Sequence, residues 1–196
     1  MLHSVISSLL PQIQNLSFAD KVGGIVYPLQ KKIKGKDDVF YTKTFPVYGN
    51  DPSVCESGTY IEMVMDDRLK SVIYFEGGQE STINGTGCGE FIHVQASLTL
   101  VAWFNLSKID KNLKSGESML RVIAGAINGS YDIGTTHAVL SIQNINFRDP
   151  AIFSKWSYIE ADKQFLIYPR DFGAVTYNVQ LSYPLCDEDP EIDPSC

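Results

Sequence analysis

The chain has 196 residues, 44% of them apolar and 11% aromatic, and a formal charge of −7. That length and apolar content suffice for one domain with a substantial core. The acidic balance speaks against wholesale binding to nucleic acid or to an anionic membrane, which both take a cationic surface, and no apolar run approaches the roughly 20 residues that cross a bilayer.

Leu2, Val5, Ile6, Leu9, Leu10, Ile13 and Leu16 recur at spacings of three and four, which predicts an N-terminal helix with one apolar stripe. Pro11 removes a backbone donor and crowds the turn before it, so this helix is expected to kink near Leu10 or to stop and restart. The start has no cationic region before its apolar residues and no small-residue cleavage site, and is read as intracellular at synthesis. After "ADKVGG", β-rich runs predict strands over 25–29, 39–48, 59–65 and 72–75. "KKIKGKDD" between the first two reads as a charged hairpin tip, and "GNDPSVCESG" as a loop.

The glycines of "GGQESTINGTGCGE" lead into a strand, not a helix, and lack the lysine and hydroxyl of a phosphate-binding loop as well as the GxGxxG spacing. They are expected to form a flexible hairpin tip between Phe75 and Phe91. Next, Ile92, Val94, Ala96, Leu98, Leu100, Ala102 and Phe104 alternate with His93, Gln95, Ser97, Thr99 and Trp103, Val101 being the aliphatic exception. This predicts a strand of unusual length, with a core face and a mostly polar face turned to solvent or to a neighbouring subunit.

Met119, Leu120, Ile123, Ala124 and Ile127 predict a second helix, capped by Ser115 or Ser118 and stopped by Gly129. From 136 to 147 the chain is extended again, with a change of parity between Leu140, Ile142 and Ile145, Phe147 that places a bulge near Asn144. "DPAIFSKWSYIEADK" is a short helix or an irregular excursion, "QFLIYP" a short strand, and Val175 to Leu185 the last alternating strand. Helix, strands, helix, strands joined mostly by short turns gives an α+β class: a mainly antiparallel sheet with an N-terminal and a central helix on one face. Residues 1–185 form one domain and 186–196 an acidic C-terminal arm.

Chemistry is sparse. Cys55, Cys88, Cys186 and Cys196 have no metal-ligand spacing and are free thiols by default, with a Cys186–Cys196 link conceivable. His3, His93 and His137 show no HExxH or HxH spacing. The sequons at Asn15, Asn84, Asn105 and Asn128 are read as chance, and Asp66 and Asp67 as a turn rather than an acid/base pair. The acidic end, "CDEDPEIDPSC", is too polar to fold alone and is expected to lie across a neighbouring chain, with the basic "KKIKGK" hairpin as its complement.

An amphipathic opening, "SVISSLLPQIQNLSFADKVGGIVYPL", a helix at "ESMLRVIAGAIN" and a closing strand, "FGAVTYNVQLSYPL", resemble in order the tail-completion and tail-terminator proteins of tailed bacteriophages. The resemblance covers most of the chain in topology and rests on no sharp motif. It implies a non-enzymatic virion protein, made in the host cytoplasm, that forms a ring in the neck, head–tail connector or tail terminator. Its partners would be its own copies and portal, adaptor or tail-tube proteins. DNA would pass through the ring without sequence-specific binding; no membrane, cofactor, metal or catalytic residue is implied. Expected contact residues are Lys31, Lys32, Lys34 and Lys36, the glycine hairpin around Glu80 and Glu90, Trp103, Trp156, and Asp187, Glu188, Asp189, Glu191 and Asp193 of the arm. Two rival readings are a carbohydrate-binding or adhesive β-rich module with Trp103, Trp156 and Tyr158 on one exposed platform, and a small hydrolase in which Cys88 and His93 converge.

Overall fold

The computed structural model describes residues 1–34, 38–49, 59–83, 91–157, 159 and 163–184. Lys36, Glu90, Tyr158, the four cysteines and the whole of 186–196 lie outside them, and with them the expected arm contact and the Cys88–His93 pair.

The first helix, α1 (Leu2–Gln14), buries Leu2, Val5, Ile6, Leu9, Leu10 and Ile13 along its stripe and, of the two outcomes expected at Pro11, does not stop and restart there. An interior proline costs about 3 kcal/mol. Burial of Leu10 before it and of Ile13 after it, at about 1.5–3 kcal/mol each, offsets that cost.

The strands are β1 (Lys21–Ile25), β2 (Tyr27–Lys34), β3 (Phe40–Gly49), β4 (Tyr60–Glu62), β5 (Ser71–Ile83), β6 (Phe91–Asn105), β7 (Gly129–Ile133), β8 (Thr136–Phe147) and β9 (Arg170–Pro184). A short α2 (Leu106–Ile109) and the central α3 (Glu117–Ala126) stand between β6 and β7. The main sheet has six strands in the order β1-β5-β6-β9-β8-β7, and β2-β3-β4 form a smaller one. Every pairing is antiparallel except β1 with β5, and the small sheet is the crossover between those two. The α+β class therefore holds, with a larger share of strand than of helix.

One face of the main sheet carries alternate residues of its long strands, such as Ile73, Phe75, Leu98, Leu100, Val175, Tyr177 and Leu140, under α1 and α3. Tyr177 fixes α3 there: its hydroxyl donates to the Ala124 carbonyl at 3.1 Å, satisfying one of the last carbonyls of the helix, and burial pushes the phenol pKa up. Gly173 permits the close packing, since a Cβ on it would stand 2.5 Å from Leu120 Cδ2 and 2.9 Å from the Asn146 carbonyl oxygen. The opposite face has its own core over one half only. There Val72, Tyr74, Val101, Trp103, Phe172 and Ala174 lie beneath Phe153, Trp156 and Ile159 of the 148–169 connection and against Val26, Met63 and Met65.

Four local expectations are corrected. The run 25–29 divides at Val26, where the chain leaves the main sheet for the small one. "QFLIYP" is no strand: Lys163–Leu166 is a 3-10 turn, followed by a cis Tyr168–Pro169 bond. It pairs with no strand among the described residues and instead caps the second core, where Trp103 Nε1 donates to the Phe165 carbonyl at 3.0 Å. Gly77 and Gly78 do not begin a hairpin tip but continue β5 through a bulge between Gly77 and Glu80, and β5 ends only at Ile83. The cap position of α3 is Gly116 rather than a serine, and its N–H donates to buried Asp171 at 2.8 Å, while Ser115 Oγ, one residue earlier, accepts from the Glu117 N–H at 3.2 Å. The bulge expected near Asn144 is present, between Ile142 and Asn144.

Candidate functional site

Among the described residues, those expected to make contacts do not gather at one place. Lys31 is engaged within the small sheet, where Glu62 pairs with it and the rings of Phe45 and Tyr60 flank its ammonium at 5.9 and 5.7 Å. The Glu62 bond raises the Lys31 pKa. Lys34 reaches Asp38 at 2.8 Å, and Lys32 is exposed. Around these lysines the ends of β2 and β3 on either side of 35–37 expose Ile33, Val39, Phe40 and Tyr41, apolar residues that the charge pattern concealed. Trp103 and Trp156 are corrected from contact residues to core residues, 1% and 3% exposed within their own chain. Trp156 Nε1 donates to Glu76 Oε1 at 2.8 Å, and Lys155 pairs with the other carboxylate oxygen. The two indoles therefore form no exposed sugar platform. Glu80 is exposed on β5, the strand beside β6.

What the fold leaves open is the other half of the second sheet face. Register alignment assembles it in rows. Thr99 stands between Glu76 and Thr176, Gln95 is paired with Gln180, and Ser182 lies between His93 and His137. Side chains on this face bond across and along strands: His93 Nδ1 with Ser182 Oγ at 2.7 Å, Gln95 Nε2 to Asn178 Oδ1 at 3.0 Å, and Asn144 Nδ2 to Asn146 Oδ1 at 3.0 Å. Comparison with protein-family models, with curated proteins and with solved structures finds no match. The reading of this face rests on its own chemistry.

From His93 to Thr99 on β6, and across the matching rows of β9 and β8, the face holds hydroxyls, amides, imidazoles and one aliphatic residue, Val139, and no lysine or arginine. It meets the covered half at a shallow groove of about 390 Å³ lined by Glu76, Thr99, Asn146, Asp149, Lys155 and Thr176, among others. At the outer strand, Asp132 accepts from His137 Nδ1 at 2.7 Å, and His137 Nε2 is 3.2 Å from Ser130 Oγ. The order hydroxyl, imidazole, carboxylate is that of a nucleophilic relay, but such a relay needs its carboxylate shielded from water. The Asp132 side chain is 86% exposed, so the trio works as a cross-strand clasp between β7 and β8.

Both outer long strands run past their neighbours. β1 pairs with β5 only from Val72 to Phe75, and β7 pairs with β8 only as far as Leu140. Among the described residues no strand lies beside 76–83 of β5 on the β1 side or beside 141–147 of β8 on the β7 side. The Asn128 side chain caps the Ile142 N–H at 3.1 Å. The polar residues of this face were legible singly, as the second parity of the two longest strands; their assembly into rows requires the β6–β9 register. Among the described residues no group of three or more His, Cys, Asp or Glu is placed to hold a metal ion, and no helix is long and apolar enough to cross a membrane.

Proposed function

We propose that this chain is a non-enzymatic structural subunit of a tailed-phage virion, assembling as a ring in the neck, head–tail connector or tail terminator. The observation that carries the reading is the bare polar face spanning β6, β9 and β8, which offers hydrogen bonding without cations. A channel wall that passes DNA must not grip phosphates, because each lysine or arginine contact displaces counterions and gains affinity. A hydrated, nearly uncharged sheet meets that requirement. The exposed apolar residues Ile33, Val39, Phe40 and Tyr41 of β2, β3 and the chain just before β3 supply a contact for an adjoining protein of portal, adaptor or tail-tube kind.

Light scattering of the purified chain tests the reading, with and without a portal or adaptor protein. A closed multimer of fixed mass is expected, and a monomer in both conditions would overturn it. A second reading, a carbohydrate-binding module, draws on the groove between Glu76 and Asn146, whose carboxylates, amides and hydroxyls suit sugar hydroxyls. Binding to a glycan array by the monomer would favour it over the ring.

A further inference from the structure

The two overhanging strand edges fit each other. β5 and β6, β6 and β9, and β9 and β8 are each antiparallel, so β5 and β8 point in opposite directions at opposite sides of the sheet. A second copy placed beside the first in the same orientation therefore presents its β5 antiparallel to the first copy's β8. Each edge carries a bulge, between Gly77 and Glu80 in β5 and between Ile142 and Asn144 in β8, which leaves regular segments at 80–83 and 144–147. The two segments are equal in length.

Register follows from the rows. Asn146 is aligned through Ala174 with Val101, on the second face, while Ile145 is aligned through Val175 with Leu100, on the helix-covered face. In β5, Ser81 is aligned with Gln95 and Thr82 with Val94, which belong to those same two faces respectively. Joining the sheets without turning one over thus pairs Ser81 with Asn146 and Thr82 with Ile145, because a slip of one residue exchanges faces. Charge is compatible with this joint, because 141–147 carries no charged residue to oppose Glu80.

The stagger fixes the geometry of the assembly. The joint sets the row of Gln95 in one copy against the row of Val101 in the next, an offset of six residues. Six residues at about 3.3 Å make about 20 Å along the strands, and the four strands β5, β6, β9 and β8 at about 4.8 Å make about 19 Å across them. A ring that closes without a rise then tilts its strands about 45° from its axis, at the upper end of the 35–45° typical of closed barrels.

We propose that successive copies join head to tail by adding 80–83 of one copy to 144–147 of the next, making one continuous sheet around the ring. The joint deepens the ring reading and rests on it. Four paired residues make each joint weak by itself, and closure makes the joints mutually reinforcing.

Cross-linking tests it. In a background with the four native cysteines changed to serine, Ser81→Cys together with Asn146→Cys is treated with a short bis-maleimide under conditions where light scattering reads a multimer. Covalent multimers up to the full ring are expected, with at least a tenfold lower yield from either single variant and from the out-of-register pair Ser81→Cys with Asn144→Cys. A multimer by light scattering in which the matched pair cross-links no better than the controls would overturn the joint and leave the ring reading standing. Dimers from Asn146→Cys alone would overturn it in favour of a two-fold β8–β8 contact. A monomer throughout would remove the ring reading and the joint with it.

Discussion

The Trp156–Glu76 hydrogen bond should hold the 148–169 connection over the second core. The indole is 3% exposed and the Glu76 side chain 10%, so water competes little for either end of the 2.8 Å bond. A hydrogen bond to a charged group contributes about 1.5–3 kcal/mol. Trp156→Phe deletes the donor and part of the ring packed in the second core with Phe153 and Ile159, and complete truncation of a buried tryptophan costs about 3–5 kcal/mol. The phenylalanine variant is therefore expected to lose about 2–4 kcal/mol. Glu76→Leu removes the acceptor at similar volume and frees Lys155, which is half exposed and can return to water. Urea unfolding followed by circular dichroism, on wild type, both single variants and the double variant, closes the cycle. A coupling of about 1–2 kcal/mol is expected, the part of the bond that neither single loss counts twice. Additivity within about 0.5 kcal/mol would refute the bond as the fastening of the connection.

Gly173→Ala should destabilise the protein by about 1–3 kcal/mol, because its Cβ meets the Asn146 carbonyl as well as Leu120; thermal unfolding reads the loss. Tyr177→Phe should cost about 1 kcal/mol in the same assay by leaving the Ala124 carbonyl without its donor. The Arg170 hydrogen bond holds the Asp67 carboxyl below its ordinary value. That stabilisation is present above the unfolded pKa, near 3.8, and is lost as pH falls through the folded one. Asp67→Asn should therefore be less stable than wild type at pH 7, by at most about 1 kcal/mol for a pair this exposed, and the two denaturation curves should merge at acid pH. A fluorophosphonate probe should leave Ser130 unmodified. Labelling abolished by His137→Ala would contradict the non-enzymatic reading.

Periodicity along the chain carries information about elements that bury a single face. The stripe of α1, the stripe of α3 and the first half of β6, where exposed and buried residues alternate, are of this kind. Even the β8 bulge shows, because a change of parity is a local property. The second half of β6 is buried on both sides, and Val101 and Trp103 break the alternation for that reason. In the sequence they looked like exceptions on a polar face; in the fold they mark where the 148–169 connection crosses it. Gly77 and Gly78 misled in the other direction. Glycine in a strand also marks close approach of a second backbone, and a Cβ at Gly78 would come within 2.7 Å of the Ser97 carbonyl oxygen. The bare polar face had its residues in plain view, but rows form only through strand register, which no window of a single strand contains.

The crossover from β1 to β5 is itself a small sheet, and its β2–β3 arm pairs without interruption from Tyr27 with Val47 to Lys34 with Phe40. Residues inserted or deleted four at a time, two in each strand of this arm, preserve its internal pairing and the facing of its side chains and leave the six-stranded sheet unchanged. The reach of the arm's exposed apolar residues is thus free to vary in steps of two rungs while the scaffold stays constant, so related chains can be fitted to taller or shorter neighbours by changing the length of a single protrusion.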